Sequence, residues 1–518
     1  MNHPSAAAPS RHAPEAPAAD PHDDPQLPLY VDMDGTLLLT DTLHESMLLA
    51  LRSDPASLWR WPAWLAEGKA GFKRRIADLA VPDPAALPYN QPLLDWLRAQ
   101  RAQGRRLILA SAADARVVRA VAEHLGLFDD WLGSNAEAEP LNLSREHKRR
   151  LIEQHARAAG YAHFAYAGNS ADDLPVWEGA RAAIAHNAPP GVLRALRRQH
   201  PQARVLPGEP LRLATLLRAI RITQWAKNAL LFAPLLAAHI TAPGAWLRMA
   251  LAFVAFGLCA SATYLVNDML DLANDRRHAY KRHRPLAAGR LSIGLAVGLT
   301  GGLMAAALAL AAALSRGFLL MLLIYVAITL AYSLRFKRVA LLDVLLLSGL
   351  YTLRIGAGAV VAGVMLSNWL LAISLFLFLS LALVKRCAEL EEMSGEAGAR
   401  KVPGRGYRRG DLALLRAFGV ASGFLAVMVF TLYIDSQNVR QLYAEPQWLW
   451  AAGPLLLAWI MRMWLKAGRR ELHGEDPLQF ALKDRLSWLI GAAMAAVALL
   501  ATTGCGFALC RAIAGGLS

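Results

Sequence analysis

The stretch NDMLDLANDRRHAYKRHRPLAAG, residues 267–289, decides how this chain is read. It follows directly on a long apolar run. It places Asn267, Asp268, Asp271 and Asp275 where the chain leaves that run, then Lys281, Arg282 and Arg284. The carboxylates are spaced i, i+3, i+7, which on a continuous helix is one face, and Asn267 precedes Asp271 by four and joins it. At 1.5 Å rise per residue the three span about 10 Å. Ionised carboxylates that close repel unless a cation sits among them. Mg²⁺ bridging a diphosphate is the natural cation, because it binds through a few carboxylates plus phosphate oxygens. The basic residues then stand where anionic oxygens are met. The plain alternative is a solvated helix end carrying ordinary interfacial charges.

Working outward, the surrounding sequence is that of a membrane. Leu486 to Cys510 is 25 residues without a charge, and a bilayer needs about 20 per helix. Similar runs lie near 229–242, 246–267, 291–313, 317–334, 340–363, 368–384, 412–434 and 447–465, which predicts an all-α polytopic bundle of about nine transmembrane helices over residues 212–518. Its first and fifth spans are the weakest. The loops 268–290, 335–338, 385–411 and 466–485 hold 21 Lys and Arg together, whereas Arg316 and Arg440 stand nearly alone on the alternate side. The positive-inside rule puts the basic loops in the cytoplasm. The expectation is a multi-pass protein of a bacterial-type inner membrane with its N-terminal domain cytoplasmic. The net charge of +15 is then explained by topology and needs no nucleic acid. Of the four cysteines, Cys259, Cys505 and Cys510 fall in spans and Cys387 at a span end, so no disulfide framework is expected.

The N-terminal third differs. Residues 1–27 are Pro, Ala and charge, which reads as a disordered tail, and they lack the apolar region of a signal peptide. Residues 28–205 read as a soluble α/β domain. LPLYVDMDGTLLLTDTL begins as an apolar strand and ends in a turn, with Asp32 and Asp34 at the strand's carboxyl end, where open α/β sheets place their active sites. RRLILASAADARVVRAVAEHLGL reads as strand, turn and helix, and YAHFAYAGNSADDLPVW as a strand with an acidic turn. Residues 41–100 are expected to form a small helical cap. Within it Trp59, Trp61, Trp64, Lys73, Arg74 and Arg75 belong either to a packed helical hairpin with a solvated basic end or to a grip on a phosphorylated or lipid-bearing substrate.

DMDGT at a strand end resembles the first motif of the haloacid-dehalogenase phosphohydrolase family. Ser111 in LILAS matches the second motif, Lys148 in SREHKRRL the third, and GNSADD, with Asn169 and Asp173, the fourth. All four occur in order over roughly residues 28–190. The resemblance implies a Rossmann-like fold and phosphate-ester hydrolysis. Asp32 would be the nucleophile that forms an aspartyl-phosphate, and Asp34 the acid and base. Ser111 and Lys148 would hold phosphoryl oxygens. Mg²⁺ would be held by Asp32, Asp34, Asn169 and Asp173. Asn169 departs from the family's usual Asp and brings no charge to the metal.

NDxxDxxxD after the second span resembles the UbiA-type intramembrane prenyltransferase superfamily over residues 212–515. There the motif holds Mg²⁺ and a diphosphate, which implies that role for Asn267, Asp268, Asp271 and Asp275. RAIRITQWAKNALLFAP, with Gln224, Trp225, Lys227 and Asn228, looks like the polyprenyl-phosphate phosphoribosyltransferase branch. YSLRFKR and LLDVLLLSGLYTLR continue the match through Tyr332, Lys337, Asp343 and Arg354, as do LVKRCAEL and DPLQFALKDR. The resemblance implies substrate contacts from Lys227, Asn228, Lys281, Arg284, Tyr332, Lys337, Arg354 and Lys385. Aromatic prenyltransferases carry a second DxxxD motif. Here Asp343 has Leu347 at +4, which counts against that branch. Charges in spans, at Asp343, Arg354, Lys385 and Arg462, face a cavity or pair between helices, and Asp343 with Arg354 is the obvious pair.

Together the resemblances imply a bifunctional, Mg²⁺-dependent membrane enzyme. Its partners would be phosphoribosyl diphosphate and a polyprenyl phosphate in the bilayer, with a phosphatase able to remove the phosphate that the transferred sugar retains. The rivals are an aromatic prenyltransferase using an allylic diphosphate, and a membrane scaffold or transporter with a degenerate phosphatase.

Overall fold

The computed structural model describes residues 22–136, 142–206, 208–392, 406–472 and 476–503. The chain forms two compact units, Met1–Leu216 with Asp271–Leu295, and Leu217–Leu270 with Ala296–Ser518.

The first unit is built on a parallel sheet of six strands: β1 (Leu29–Val31), β2 (Leu107–Asp114), β3 (Asp130–Ser134), β4 (Ala165–Gly168), β5 (Ala182–His186) and β6 (Arg204–Leu206). Their spatial order is β3-β2-β1-β4-β5-β6. Leu29 aligns with Leu107 on one side and Ala165 on the other, so β1 is central although it has only three residues. Parallel sheets are covered on both faces, and their strands are therefore continuously apolar. Leu29, Val31, Leu107 and Leu109 enter one core, and Tyr30, Ile108, Tyr166 and Trp177 the other. The strand order reverses between β1 and β4, and the crevice beyond the carboxyl ends there is where such sheets place their sites.

Between β1 and β2 the chain is helical, with helices Thr42–Ser53, Trp61–Ala66 and Gly68–Leu79 followed by Gln91–Ala102. The last contributes Leu93, Leu94 and Leu97 to the sheet's core, so it is a layer of the sheet rather than part of the cap expected over 41–100. The tail expected over 1–27 does not extend to residues 22–27. Residues 1–21 lie outside the described residues, but Leu27 is buried in the core, and Arg105 donates to the carbonyls of Leu27 at 2.8 Å and His22 at 2.5 Å.

The second unit, together with the helix that enters it at Ile293, has eight helices long and apolar enough to cross a membrane among the described residues. They are Pro243–Leu270, Ile293–Leu314, Arg316–Leu334, Leu342–Ala362, Asn368–Glu391, Arg409–Ile434, Pro446–Gly468 and Arg485–Thr503. The expected first span, 229–242, is not a single α-helix. In its place stand a 3-10 helix over Ile222–Phe232 and a short helix over Ala233–Ala237.

Close backbone approach accounts for that tighter winding. A Cβ at Gly358 would lie 2.0 Å from the carbonyl oxygen of Leu231, and one at Gly257 would lie 2.6 Å from the Trp225 ring. Both glycines let the 3-10 helix press against neighbouring helices. Gly358→Ala should therefore destabilise the protein by about 1–3 kcal/mol, because the backbone it meets has no rotamer to yield. Gly298→Ala, with open space around it, should be neutral. Thermal unfolding of the two variants in detergent checks this, and equal midpoints would contradict it.

Candidate functional site

In the first unit, four separated segments converge on Asp32. Its backbone N–H donates to the Ala167 carbonyl at 2.8 Å, which fixes the end of β1 against β4. Its side chain is buried, accepting from Lys148 Nζ at 2.7 Å and Thr36 Oγ1 at 3.1 Å. Lys148, from the helix Arg145–Ala158, also reaches Asp173 Oδ1 at 3.3 Å. Asp173 is held further by Tyr166 OH at 2.6 Å, and by the Asn169 and Ser170 N–H groups at 3.1 and 3.0 Å. Ser111 is buried in β2, its Oγ accepting from the Ala113 N–H at 3.1 Å. Asp34 accepts from the Thr42 N–H at 2.8 Å.

These surroundings divide the two carboxylates. Burial pushes Asp32 up to about 6; Lys148 pulls it down and Asp173 adds to the rise. Burial pushes Asp34 up to about 8, with Asp41 and Asp32 adding like charge. Lys148 thus favours the anion at Asp32, whereas like charge favours the proton at Asp34, which is the direction needed to divide a nucleophile from an acid. Burial alone would lower Lys148, but Asp32 and Asp173 more than offset it and raise it. It therefore remains a cation.

The donors fit a hard cation by type. Asp32, the Asp34 carbonyl and the Asn169 amide are all oxygens. Gly35 adopts φ +77°, and a Cβ there would lie 2.1 Å from Asn169 Nδ2. Only glycine leaves Asn169 room beside the Asp32 turn. Asp173 is bound instead to Lys148, Tyr166 and the fourth-motif amides, so in this structure it orders the turn rather than offering a lone pair. Among the described residues no three His, Cys, Asp or Glu side chains gather as an ion site, which an amide and a carbonyl donor leave open.

The acidic motif does not lie on one continuous helix. Pro243–Leu270 ends after Asn267 and Asp268, and a new helix, Leu272–Arg277, starts with Asp271 as its N-terminal flanking residue at φ −97°, ψ 5°. Asp268 is buried and ion-paired to Arg221. Asp275 is buried and accepts from Arg284 Nη1 at 2.6 Å. Lys281 is exposed in the 3-10 turn Lys281–His283.

In the second unit, Lys227, Asn228, Arg354 and Lys385 share one neighbourhood. Lys227 Nζ lies 2.7 Å and Lys385 Nζ 3.4 Å from Asp476 Oδ2. Tyr351 OH lies 3.3 Å from the same carboxylate. Arg354 donates to Asn228 Oδ1 at 3.1 Å and stacks on Phe256, Tyr325 and Tyr351, with its guanidinium carbon 5.0–5.6 Å from the ring centres. Asn228 Nδ2 is buried without an acceptor. Tyr332 belongs to a different cluster, accepting from Arg386 Nη2 at 3.2 Å. Lys337 is buried. The pairing of Asp343 with Arg354 does not form. Asp343, fully buried, binds Arg386 at 2.6 Å and Tyr407, and Arg462 binds Asp484 through both nitrogens at 2.6 and 2.8 Å.

Several participants escaped the sequence reading. Lys73, grouped there with a basic helix end, turns inward and donates to the Ala112 carbonyl at 2.5 Å and Asn142 Oδ1 at 2.8 Å. Burial lowers it against the opposing pull of Asp34 and Asp41. Asp476, Arg386 and Arg221 were also missed.

Comparison with known proteins agrees with these two halves. The UbiA prenyltransferase family matches residues 229–482, and the haloacid dehalogenase-like hydrolase family matches residues 61–178. Uncharacterized protein y4nM of Sinorhizobium fredii is 39% identical over 483 residues, 92% of each chain. Nodulation protein NoeC of Azorhizobium caulinodans is 35% identical over 290 residues, 55% of this chain and 93% of its own. Decaprenyl-phosphate phosphoribosyltransferase of Corynebacterium glutamicum is 40% identical over 180 residues, 34% of this chain, and the match spans about half (54%) of that protein. The chain belongs to the UbiA prenyltransferase family and carries a haloacid dehalogenase-like hydrolase domain.

Proposed function

We propose that the chain is a membrane enzyme with two reactions. The first transfers 5-phosphoribose from phosphoribosyl diphosphate to a polyprenyl phosphate. The second hydrolyses a phosphate monoester, with the lipid-linked phosphoribose as its substrate. The observation that carries the transfer reading is the neighbourhood of buried Lys227 and Arg354 and half-buried Lys385, in which Asp476 is the one carboxylate paired with the lysines among the described residues. Buried cations in excess of their counter-charges call for an anion, and a lipid phosphate supplies one. The match to decaprenyl-phosphate phosphoribosyltransferase supports the same substrate pair.

In the transfer, an oxygen of the lipid phosphate attacks the anomeric carbon as the bond from that carbon to the diphosphate breaks. Arg354, Lys227 and Lys385 hold the attacking phosphate, with Asn228 Nδ2 as a further donor. Asn267, Asp268, Asp271 and Asp275 are the residues to hold Mg²⁺, which neutralises the departing diphosphate when bound. Lys281 and Arg284 meet its oxygens, with Tyr332 and Lys337 lining the substrate region. Against the allylic alternative stands Asp343. Its +4 neighbour is Leu347 rather than a second carboxylate, so the paired acidic motif that the alternative calls for is incomplete.

In the hydrolysis, Asp32 attacks phosphorus and forms an aspartyl-phosphate. Asp34 protonates the leaving alcohol oxygen, then takes a proton from the water that cleaves the acyl phosphate. Lys148 and Ser111 hold the phosphoryl oxygens. Asp32, the Asp34 carbonyl and Asn169 would hold Mg²⁺, which would supply charge neutralisation at the phosphate. The charge bias of the basic loops supports the cytoplasmic side of a bacterial-type inner membrane as the location of both reactions.

Two experiments on the full-length protein test the assignment. Asp268→Asn should lower phosphoribosyl transfer at least a hundredfold, the loss of charge stabilisation at a metal-diphosphate being worth several kcal/mol, while hydrolysis of a small phosphate monoester persists. Asp32→Asn should lower hydrolysis about a thousandfold or more, leaving the lipid product with its sugar phosphate attached. Mass spectrometry of the extracted lipid reads both. A prenylated aromatic product from an allylic diphosphate would overturn the transfer reading.

The amide at position 169 gives a separate prediction. Asn169→Asp adds a charge to the hydrolytic metal set and should reduce the Mg²⁺ concentration for half-maximal hydrolysis several-fold. An unchanged titration would remove Asn169 from the set.

A further inference from the structure

The segment Asp271–Leu295 lies in the first compact unit, and one arginine does most of the fastening. Glu45, in the first turn of Thr42–Ser53, receives Arg276 through both terminal nitrogens, Nη2 to Oε1 at 2.6 Å and Nη1 to Oε2 at 3.0 Å. The two side chains are only 7% and 6% exposed. Thr40 Oγ1 donates to the same Oε1 at 2.7 Å, so the carboxylate is fixed before the arginine reaches it. Arg276 Nε then donates to the Ala287 carbonyl at 3.1 Å. A single guanidinium thus joins three points: the cap helix, the arm that carries Asp271 and Asp275, and the returning arm after Arg284. A bidentate arginine–carboxylate pair has a rigid fork geometry that a point charge lacks.

Two further contacts secure the same segment. Gly289 adopts φ +71°, and a Cβ there would lie 2.5 Å from Leu39 Cβ and 2.9 Å from the Leu39 carbonyl, so the returning arm lies directly on the chain that follows the Asp32 turn. Arg277 reaches Asp83 at 2.5 Å on the exposed side. Asp275, adjacent to Arg276, is bound to Arg284 across the loop. The loop's acidic and basic residues are thereby held at a fixed separation by contacts made within this unit.

We propose that Glu45 and Arg276 are positioning residues for the transfer reaction. The haloacid dehalogenase-like unit holds the segment bearing Asp271, Asp275, Lys281 and Arg284 in the shape that receives a metal-bound diphosphate. The inference rests on the diphosphate role given to that segment above. It makes the N-terminal domain a structural requirement of transfer as well as the seat of hydrolysis.

The test uses the full-length protein in detergent or nanodiscs, with Arg276→Met and the double variant Glu45→Gln/Arg276→Met. The single variant leaves Glu45 buried without its cation and should lower the thermal midpoint. The double variant removes both charges and should recover most of that loss. In both, the KM for phosphoribosyl diphosphate should rise at least tenfold while that for polyprenyl phosphate stays within twofold. Amide hydrogen exchange over residues 271–290 should quicken at least tenfold in both. A double variant that regains the wild-type KM along with stability would reduce the pair to a structural tie and overturn the proposal. So would unchanged exchange. If the wild type transfers nothing from phosphoribosyl diphosphate, the substrate reading fails on its own. The exchange result, and the KM for whichever diphosphate is turned over, still decide the positioning role.

Discussion

A buried charge must find its opposite within the fold, and that constraint organises both halves of this chain. Removing an ion from water costs more than any single hydrogen bond returns. Lys148 is therefore placed between Asp32 and Asp173. Asp343, fully buried, is matched by Arg386 and Tyr407. Asp476 stands between Lys227 and Lys385. Burial drives the Asp476 carboxyl upward, but the two lysines and the Leu478 N–H more than reverse it and hold it well below the usual carboxylate range. The difference between Asp32 and Asp34 is the same constraint in another form: Asp32 has a buried lysine that favours its anion, whereas Asp34 has carboxylates for neighbours that favour its proton.

Much of this was legible in the sequence. The DMDGT turn, the Ser111 strand end, Lys148 and the Asn169 turn are local signatures, each set by the residues beside it, and the β-strand pairing brings them together. The long apolar runs were equally plain, because span length follows from bilayer thickness. What was not legible depended on partners distant in sequence. Asp343 was matched to Arg354, eleven residues on the same helix, whereas its partner Arg386 comes from the next. Arg354 instead rests on three aromatic rings, which no spacing rule shows. The segment over 229–242 read as one helix because hydropathy does not distinguish α from 3-10 winding; Gly358 and Gly257, more than a hundred and twenty-five and about thirty residues away, decide it.

The acidic motif shows how periodicity misleads at a helix end. The i, i+3, i+7 spacing holds only while the helix continues, and here it stops at Leu270. Asp271 then flanks the next helix, Leu272–Arg277, a position where an aspartate is favoured beside unsatisfied N–H groups. The carboxylates stay close in sequence, but their directions are set by the turn and by Arg221 and Arg284 rather than by one face. Each arginine is a cation in the place a metal needs a carboxylate to be free, so loading of the motif has to proceed by exchange of guanidinium for Mg²⁺ on the proposed reading.

The amide at position 169 is intelligible from the charges around it. On the proposed reading, with Asp34 carrying the proton, the Asp32 site holds Asp32 and Asp173 as anions and Lys148 as a cation, a net charge of −1. A divalent metal takes that to +1. An aspartate at 169 would return it to zero, tightening the metal and weakening the pull on a phosphate dianion. On the proposed reading the amide exchanges metal affinity for substrate affinity. Gly35 makes the exchange a matter of charge alone, because the space it leaves beside the Asp32 turn accepts an amide or a carboxylate of the same shape.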